Sequence, residues 1–167
     1  MQYPDPPAAG QAIDLARFLL ALRADAGVGV LPFSARGDAD AQWVVGLRHV
    51  SDCASVHGDH WERHPRGDEV LCLLDGSVQV VLGSAGQPER TLALRAGQAV
   101  VVPQGHWHRL HIEEPGRLIF ITPSQGSEHR RVGSPLDDRP APGRGASGRA
   151  SGGARGSASG HTSGSTP

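Results

Sequence analysis

From residue 42 to residue 123 the chain repeats one pattern, a short run of Val, Leu and Ile followed by a turn. QWVVGLRHV, EVLCLL, SVQVVL, TLAL, AVVVP, HWHRLHI and RLIFIT are each four to nine residues long. Between them stand DG at 75–76, GSAGQPE at 83–89, AG at 96–97, PQG at 103–105 and EEPG at 113–116. Short strands at this spacing, with Gly and Pro turns and no helices alternating with them, predict an antiparallel sandwich or small barrel. The Asp75-Gly76 pair, flanked by apolar runs, predicts a hairpin turn.

The 167 residues suffice for one domain with a real core, not for two comfortable ones. All 16 cationic side chains are Arg, the formal net charge is −1 and the pI is near 6.7. No basic field points to a nucleic acid or an anionic membrane. The apolar runs fall far short of the roughly 20 residues of a spanning helix. The N-terminus lacks the basic and apolar regions of a secretory signal, so a cytoplasmic protein is expected. Cys53 and Cys72 stand far apart, outside any CxxC pair, and do not suggest a disulfide scaffold.

Composition divides the chain into zones. Residues 1–10 are rich in Pro, Ala and Gly and read as flexible. In QAIDLARFLLALR (11–23) the spacing of Leu15, Leu19 and Leu22 predicts an amphipathic helix, so 11–41 reads as helix and connection. Residues 42–132 form the β-rich zone. The tail 133–167 holds a single large apolar residue, Leu136, too few to offset its ordering entropy, and is expected to be disordered.

Chemistry concentrates where strands meet turns. Residues i, i+2 and i+4 of a strand share a face, so His60, Glu62 and His64 point one way in HWERH while Trp61 and Arg63 point the other. After PRGD, Glu69 opens the next strand on a face shared with Leu71 and Leu73. HWHRLHI sets His106, His108, Leu110 and Ile112 against Trp107, Arg109 and His111. If the first face of each strand is interior, Glu62, His64, Glu69 and His108 meet in one lumen. Two imidazoles and two carboxylates buried together are costly without compensation, which a divalent cation supplies. An N/O donor set with open positions suits Fe(II), Mn(II), Ni(II) or Zn(II).

These spacings resemble the cupin superfamily, whose first motif is written G-x5-H-x-H-x3–4-E-x6-G and whose second is G-x5-P-x-G-x2-H-x3-N. Here the first reads Glu62-x-His64-x4-Glu69-x6-Gly76, and the second Gly97-x5-Pro103-x-Gly105-x2-His108. Val56 and Ile112 replace the opening Gly and the closing Asn, and Glu62 replaces the first His. The resemblance implies an antiparallel double-stranded β-helix, or jelly-roll barrel, of the RmlC-like kind. It further implies metal ligation by His64, Glu69 and His108. Glu62 would be a substituted oxygen ligand, with His60 the alternative at that place.

The reading that follows is a mononuclear divalent-metal protein acting on a small, partly apolar organic molecule, with oxygenase- or isomerase-type chemistry. Glu62 or Glu69 could double as a proton acceptor. His106 is placed at the pocket mouth, Trp107 in outer packing or an interface, and His49, His111 and His129 at the surface or in packing. The competing reading is a non-catalytic binding module or sensor with an empty or purely polar pocket. A homodimer is expected, with Trp43, Trp61 and Trp107 offering apolar surface.

Overall fold

The computed structural model describes residues 6–8, 10–34, 40–56 and 58–137. Among the described residues nine strands follow in order: β1 (Phe18–Arg23), β2 (Val28–Pro32), β3 (Ala41–Val50), β4 (His60–Arg63), β5 (Glu69–Gly83), β6 (Arg90–Arg95), β7 (Ala99–Val102), β8 (Trp107–Pro123) and β9 (Glu128–Arg131). A 3-10 turn, Cys53–Val56, precedes β4. Every pairing is antiparallel, and the strands form one curled sheet. The fold is the expected all-β jelly-roll barrel. Among the described residues no helix is long and apolar enough to cross a membrane.

Closure depends on β5 and β8, which span 15 and 17 residues. The first half of β5 pairs with β7 and with the second half of β8. Its second half pairs with β6 and with the first half of β8, so each long strand serves both ends of the barrel. The core between them is aliphatic: Leu71, Leu73, Val78, Val80, Leu94, Val102, Leu118 and Phe120 are buried with Leu19, Val44 and Val50.

Asp75-Gly76 is therefore not the expected hairpin. The β5 strand runs straight through it, and the register with β8 shifts between Leu73 and Val78. Gly76 has φ +86°, and a Cβ there would come within 2.6 Å of the Pro115 carbonyl oxygen. An apolar-flanked Asp-Gly encodes a left-handed glycine, which serves a β-bulge as well as a turn. The chain reverses later, between Gly83 and Arg90, and the β5–β6 ladder begins with Leu82 opposite Arg90.

The expected N-terminal helix is also a strand pair. FLLALR forms β1, hydrogen-bonded to β2 on one side and β3 on the other. Leu19 and Ala21 are fully buried, so period-2 burial overrides the helical spacing of Leu15, Leu19 and Leu22. The turn after β1 places Ala26 at φ +66°, and Asp25 Oδ1 accepts from the Gly27 amide.

A second, smaller core lies outside the barrel lumen, where Trp61, Val81 and Trp107 are buried and Leu136 packs on them. Trp107 is fully buried and Trp61 nearly so, which removes both from any outer surface. The Asp137 carbonyl accepts from Arg63 Nη1 at 2.8 Å and from Trp107 Nε1 at 3.0 Å. Arg63 stacks on the Trp107 ring at 4.5 Å. Residues 133–137 thus belong to the folded unit, correcting the expected start of the tail. Residues 138–167 lie outside the described residues, as do 1–5.

Candidate metal centre

Two turns tie the site together before any functional side chain is considered. In the PRGD turn the Pro65 carbonyl accepts from Gln104 Nε2, and Asp68 Oδ1 accepts from the Gln104 amide. The Gly105 amide donates to the His64 carbonyl at 3.0 Å. Gly105 has φ +78°, a conformation that favours glycine. The stretch carrying His64 and Glu69 is thereby fixed to the turn leading into His108.

Register supplies the rest. Glu62 on β4 sits directly opposite His108 on β8 and, on its other side, opposite His129 on β9. His64, Glu69 and His108 are 2–4% exposed, whereas the Glu62 side chain is about one-third exposed. One donor atom each from Glu62, His64 and His108 lie within 4.8 Å of one another, a group that could hold a metal ion. Glu69 Oε2 lies 2.8 Å from His108 Nε2 and 3.3 Å from His64 Nε2. Glu62 Oε1 is 3.8 Å from His64 Nε2.

The outer atoms of His64 and Glu69 are already engaged, which aims their inner ones, whereas His108 Nδ1 is buried without a hydrogen-bond partner among the described residues. His64 Nδ1 lies 3.0 Å from Ser127 Oγ, and Thr122 Oγ1 donates to Glu69 Oε1 at 2.5 Å. His64 Nε2 and Glu69 Oε2 are buried, face the shared space and complete no well-aligned hydrogen bond. Held only by their contact with each other and by His108 Nε2 beside Glu69, this nitrogen and carboxylate oxygen would be better satisfied by a group bound between them. Imidazole and carboxylate donors, with second contacts holding His64 and Glu69, fit a divalent metal.

Charge coupling is strong without a metal. Burial by itself would push the Glu69 carboxyl up, but the adjoining imidazoles of His108 and then His64 hold it well below the usual carboxylate range. Burial would likewise lower His108, yet Glu69 and, less strongly, Glu62 raise it. The Glu69 contribution to stability is complete above its usual 4.5 and lost as pH falls through the depressed value. The His108 contribution is complete below its usual 6.5 and lost as pH rises through the raised value. The pair should therefore stabilise the metal-free protein most between pH 4.5 and 6.5. Thermal melts in chelator across that window should show a maximum that Glu69→Gln removes. An unchanged profile would contradict the coupling.

A cavity of about 210 Å³ opens from the site, lined by Arg48, His60, Glu62, Glu69, His108, Arg109 and His129 together with Val56, Leu71, Leu110, Leu118, Phe120 and Thr122. His60 reaches its wall, but its Nδ1 is 2.8 Å from Asp59 Oδ1, and it is outside the close donor group. His106 is exposed near the Gln104 carbonyl and does not line the cavity, contrary to its expected place at the mouth. His129 does line it, with Nε2 3.9 Å from Glu62 Oε1, although it was expected at the surface or in packing. Only the β4–β9 register finds His129, and no local pattern announces that pairing. His111 stays exposed, 3.2 Å from the Cys53 thiol.

Residues 54–122 match the family described as Cupin domain. This segment is a cupin domain. It carries Glu62, His64, Glu69 and His108, while β1, β2, β3 and β9 lie outside the match. None of the curated proteins is significantly similar to the chain. Among solved structures, a cupin-2 domain containing protein from Shewanella frigidimarina is 23% identical, over 49% of this chain and 71% of that one, at a TM-score of 0.39. Hydroquinone 1,2-dioxygenase from Sphingomonas sp. TTNP3 is 16% identical, over 49% of this chain and 59% of that one, at 0.40. Oxalate decarboxylase from Bacillus subtilis is 17% identical, over 56% of this chain and 25% of that one, at 0.44.

Proposed function

We propose that this cupin domain binds one divalent metal through His64, Glu69 and His108, with Glu62 as the fourth ligand, and acts there on a small organic molecule. The observation that carries the reading is the convergence of buried donor atoms on Glu69 Oε2, with His108 Nε2 at 2.8 Å and His64 Nε2 at 3.3 Å and no well-aligned hydrogen bond completed at His64 Nε2 or Glu69 Oε2. A bound cation would supply Lewis-acid or redox chemistry. The chain's own residues supply the rest. Glu69, held ionised and anchored by Thr122, serves as a ligand. Glu62, half-buried and facing His129, is the better placed proton acceptor.

Elemental analysis of protein purified without an affinity tag tests the site. About one metal per chain is expected, and less than about 0.2 would leave a polar pocket of a binding module instead. Oxygen uptake or isomer formation by the loaded protein would then separate enzyme from sensor.

We also propose a homodimer, but not through Trp61 or Trp107, which are buried. Leu20, Val45, Ile121, Val70 and Val101 align side by side on β1, β3, β8, β5 and β7. All are half-buried or exposed, Val101 by 56%. Leu47, Ile119, Cys72 and Ala99 form the next row. Five strands about 4.8 Å apart give an uncharged face roughly 24 Å wide. That approaches the side of the ~800 Å² patch each partner gives to a standard interface, and a second copy matches it in chemistry. Val101→Glu should turn a dimer into a monomer in light scattering, and a monomeric wild type would rule the pairing out. Cys53 and Cys72 are both free thiols, which agrees with a reducing cytoplasmic setting.

A further inference from the structure

The interior face of β3 carries one residue foreign to a core. Val44 and Val50 are buried there, Gly46 gives its space to the Phe120 ring, and Arg48 falls between Gly46 and Val50. A guanidinium on a core-facing alternation is expensive unless it serves something inside. Arg48 is half-buried, lines the cavity, donates from Nη1 to the Ser55 carbonyl at 3.0 Å and leans over Phe33 at 5.9 Å.

Register gives its position relative to the metal centre. Arg48 faces Leu118 across the β3–β8 ladder, Gly46 faces Phe120, and Val44 faces Thr122. Thr122 is the residue that holds Glu69. From Leu118 to Thr122 is four residues, roughly 13 Å of strand. The cavity therefore has a metal-ligating end at Glu69, an apolar middle of Phe120, Leu118, Leu71 and Leu110, and a guanidinium end at Arg48.

We propose that the cavity binds a small organic monocarboxylate, its carboxylate on Arg48 and its apolar body against Phe120 and Leu118. The opposite end of such a molecule then faces Glu62, Glu69 and His108, the donor residues that line the cavity. Guanidinium and carboxylate pair through two parallel N–H···O bonds, which fixes orientation as well as charge. Glu62 and Glu69 repel an anion from the other end when no metal is bound, so the molecule enters in one sense only. The volume of about 210 Å³ limits the ligand to a single ring or a short branched chain. This inference rests on the proposed metal site only for what the far end of the ligand meets.

Chelator-treated protein separates the two ideas, because the Arg48 end needs no metal. Calorimetric titration with benzoate and with its neutral counterpart benzamide should show benzoate binding at least tenfold more tightly. Arg48→Gln should bring the two within twofold of each other. Arg48→Lys, which keeps the charge but loses the fork, should retain part of the preference. Arg117→Gln, at an exposed pair with Asp75, should retain all of it. Equal binding of the two probes, no saturable benzoate binding, or an unchanged preference in Arg48→Gln overturns the proposal. If Arg48→Gln fails to fold by circular dichroism, Arg48→Lys decides, and an undiminished preference there overturns it. Benzoate selectivity in a chain that never holds metal would leave this proposal standing and the metal reading fallen.

Discussion

Replacing His108 with Ala should lower bound metal to less than a tenth of the wild-type level while leaving the barrel folded. His108 sits where the turn from Pro103 to Gly105 delivers it, and its Nε2 contacts Glu69. Removing a direct ligand should exceed the ~10–100-fold loss typical of changes to the groups behind a ligand. His64→Ala should act alike. Ser127→Ala removes only the contact that orients His64 and should cost about tenfold. Glu62→Ala should have an intermediate effect, because Glu62 is the most exposed member of the group. Glu62→His should tighten binding of Ni(II) or Zn(II), for which imidazole is a suitable donor. Chelator competition measures all five variants. Unchanged affinity in both histidine variants would place any metal elsewhere.

The parts of this centre that could be read in the sequence are those set by local period and turn chemistry. Glu62 and His64 alternate with buried Trp61 and Arg63, and His108 alternates with buried Trp107, as the period of two requires. Gly97 and Gly105 take the left-handed conformations that their place in turns suggested. What stayed hidden depends on pairing between distant segments. His129 reaches Glu62 only because β9 docks beside β4, and Arg48 reaches the cavity only through the β3–β8 register. FLLALR misled because it is apolar on both faces of the strand, Leu19 and Ala21 buried inside and Leu20 and Leu22 half-buried outside, so its leucines also fit a helical spacing. Asp75-Gly76 misled because a left-handed glycine marks a bulge and a turn alike. Leu136 was too little to hold a tail by itself. It holds five residues because two tryptophans and Arg63 had already built a surface for it.

Gly116→Ala should cause the largest loss of stability of any single-methyl change in the barrel, about 3 kcal/mol or failure to fold. Gly116 lies on β8 where that strand crosses the bulge in β5, and a Cβ there would run into the Asp75 carbonyl and the Gly76 Cα. Both obstacles are backbone, so no side chain can swing aside. Gly97→Ala provides the contrast. Its φ is +81°, but nothing lies within 4 Å of an added Cβ, so only the conformational penalty of about 1 kcal/mol applies. Denaturant melts of the two variants should differ by at least 1.5 kcal/mol on that ~3 against ~1 basis, and equal losses would show that the crossing tolerates separation. The crossing also sets the site. The half of β5 before it carries Glu69, and the half of β8 before it carries His108, so the shared bend fixes how closely the two approach. A Gly116→Ala protein that still folds should therefore lose metal affinity along with stability, although Gly116 touches no ligand.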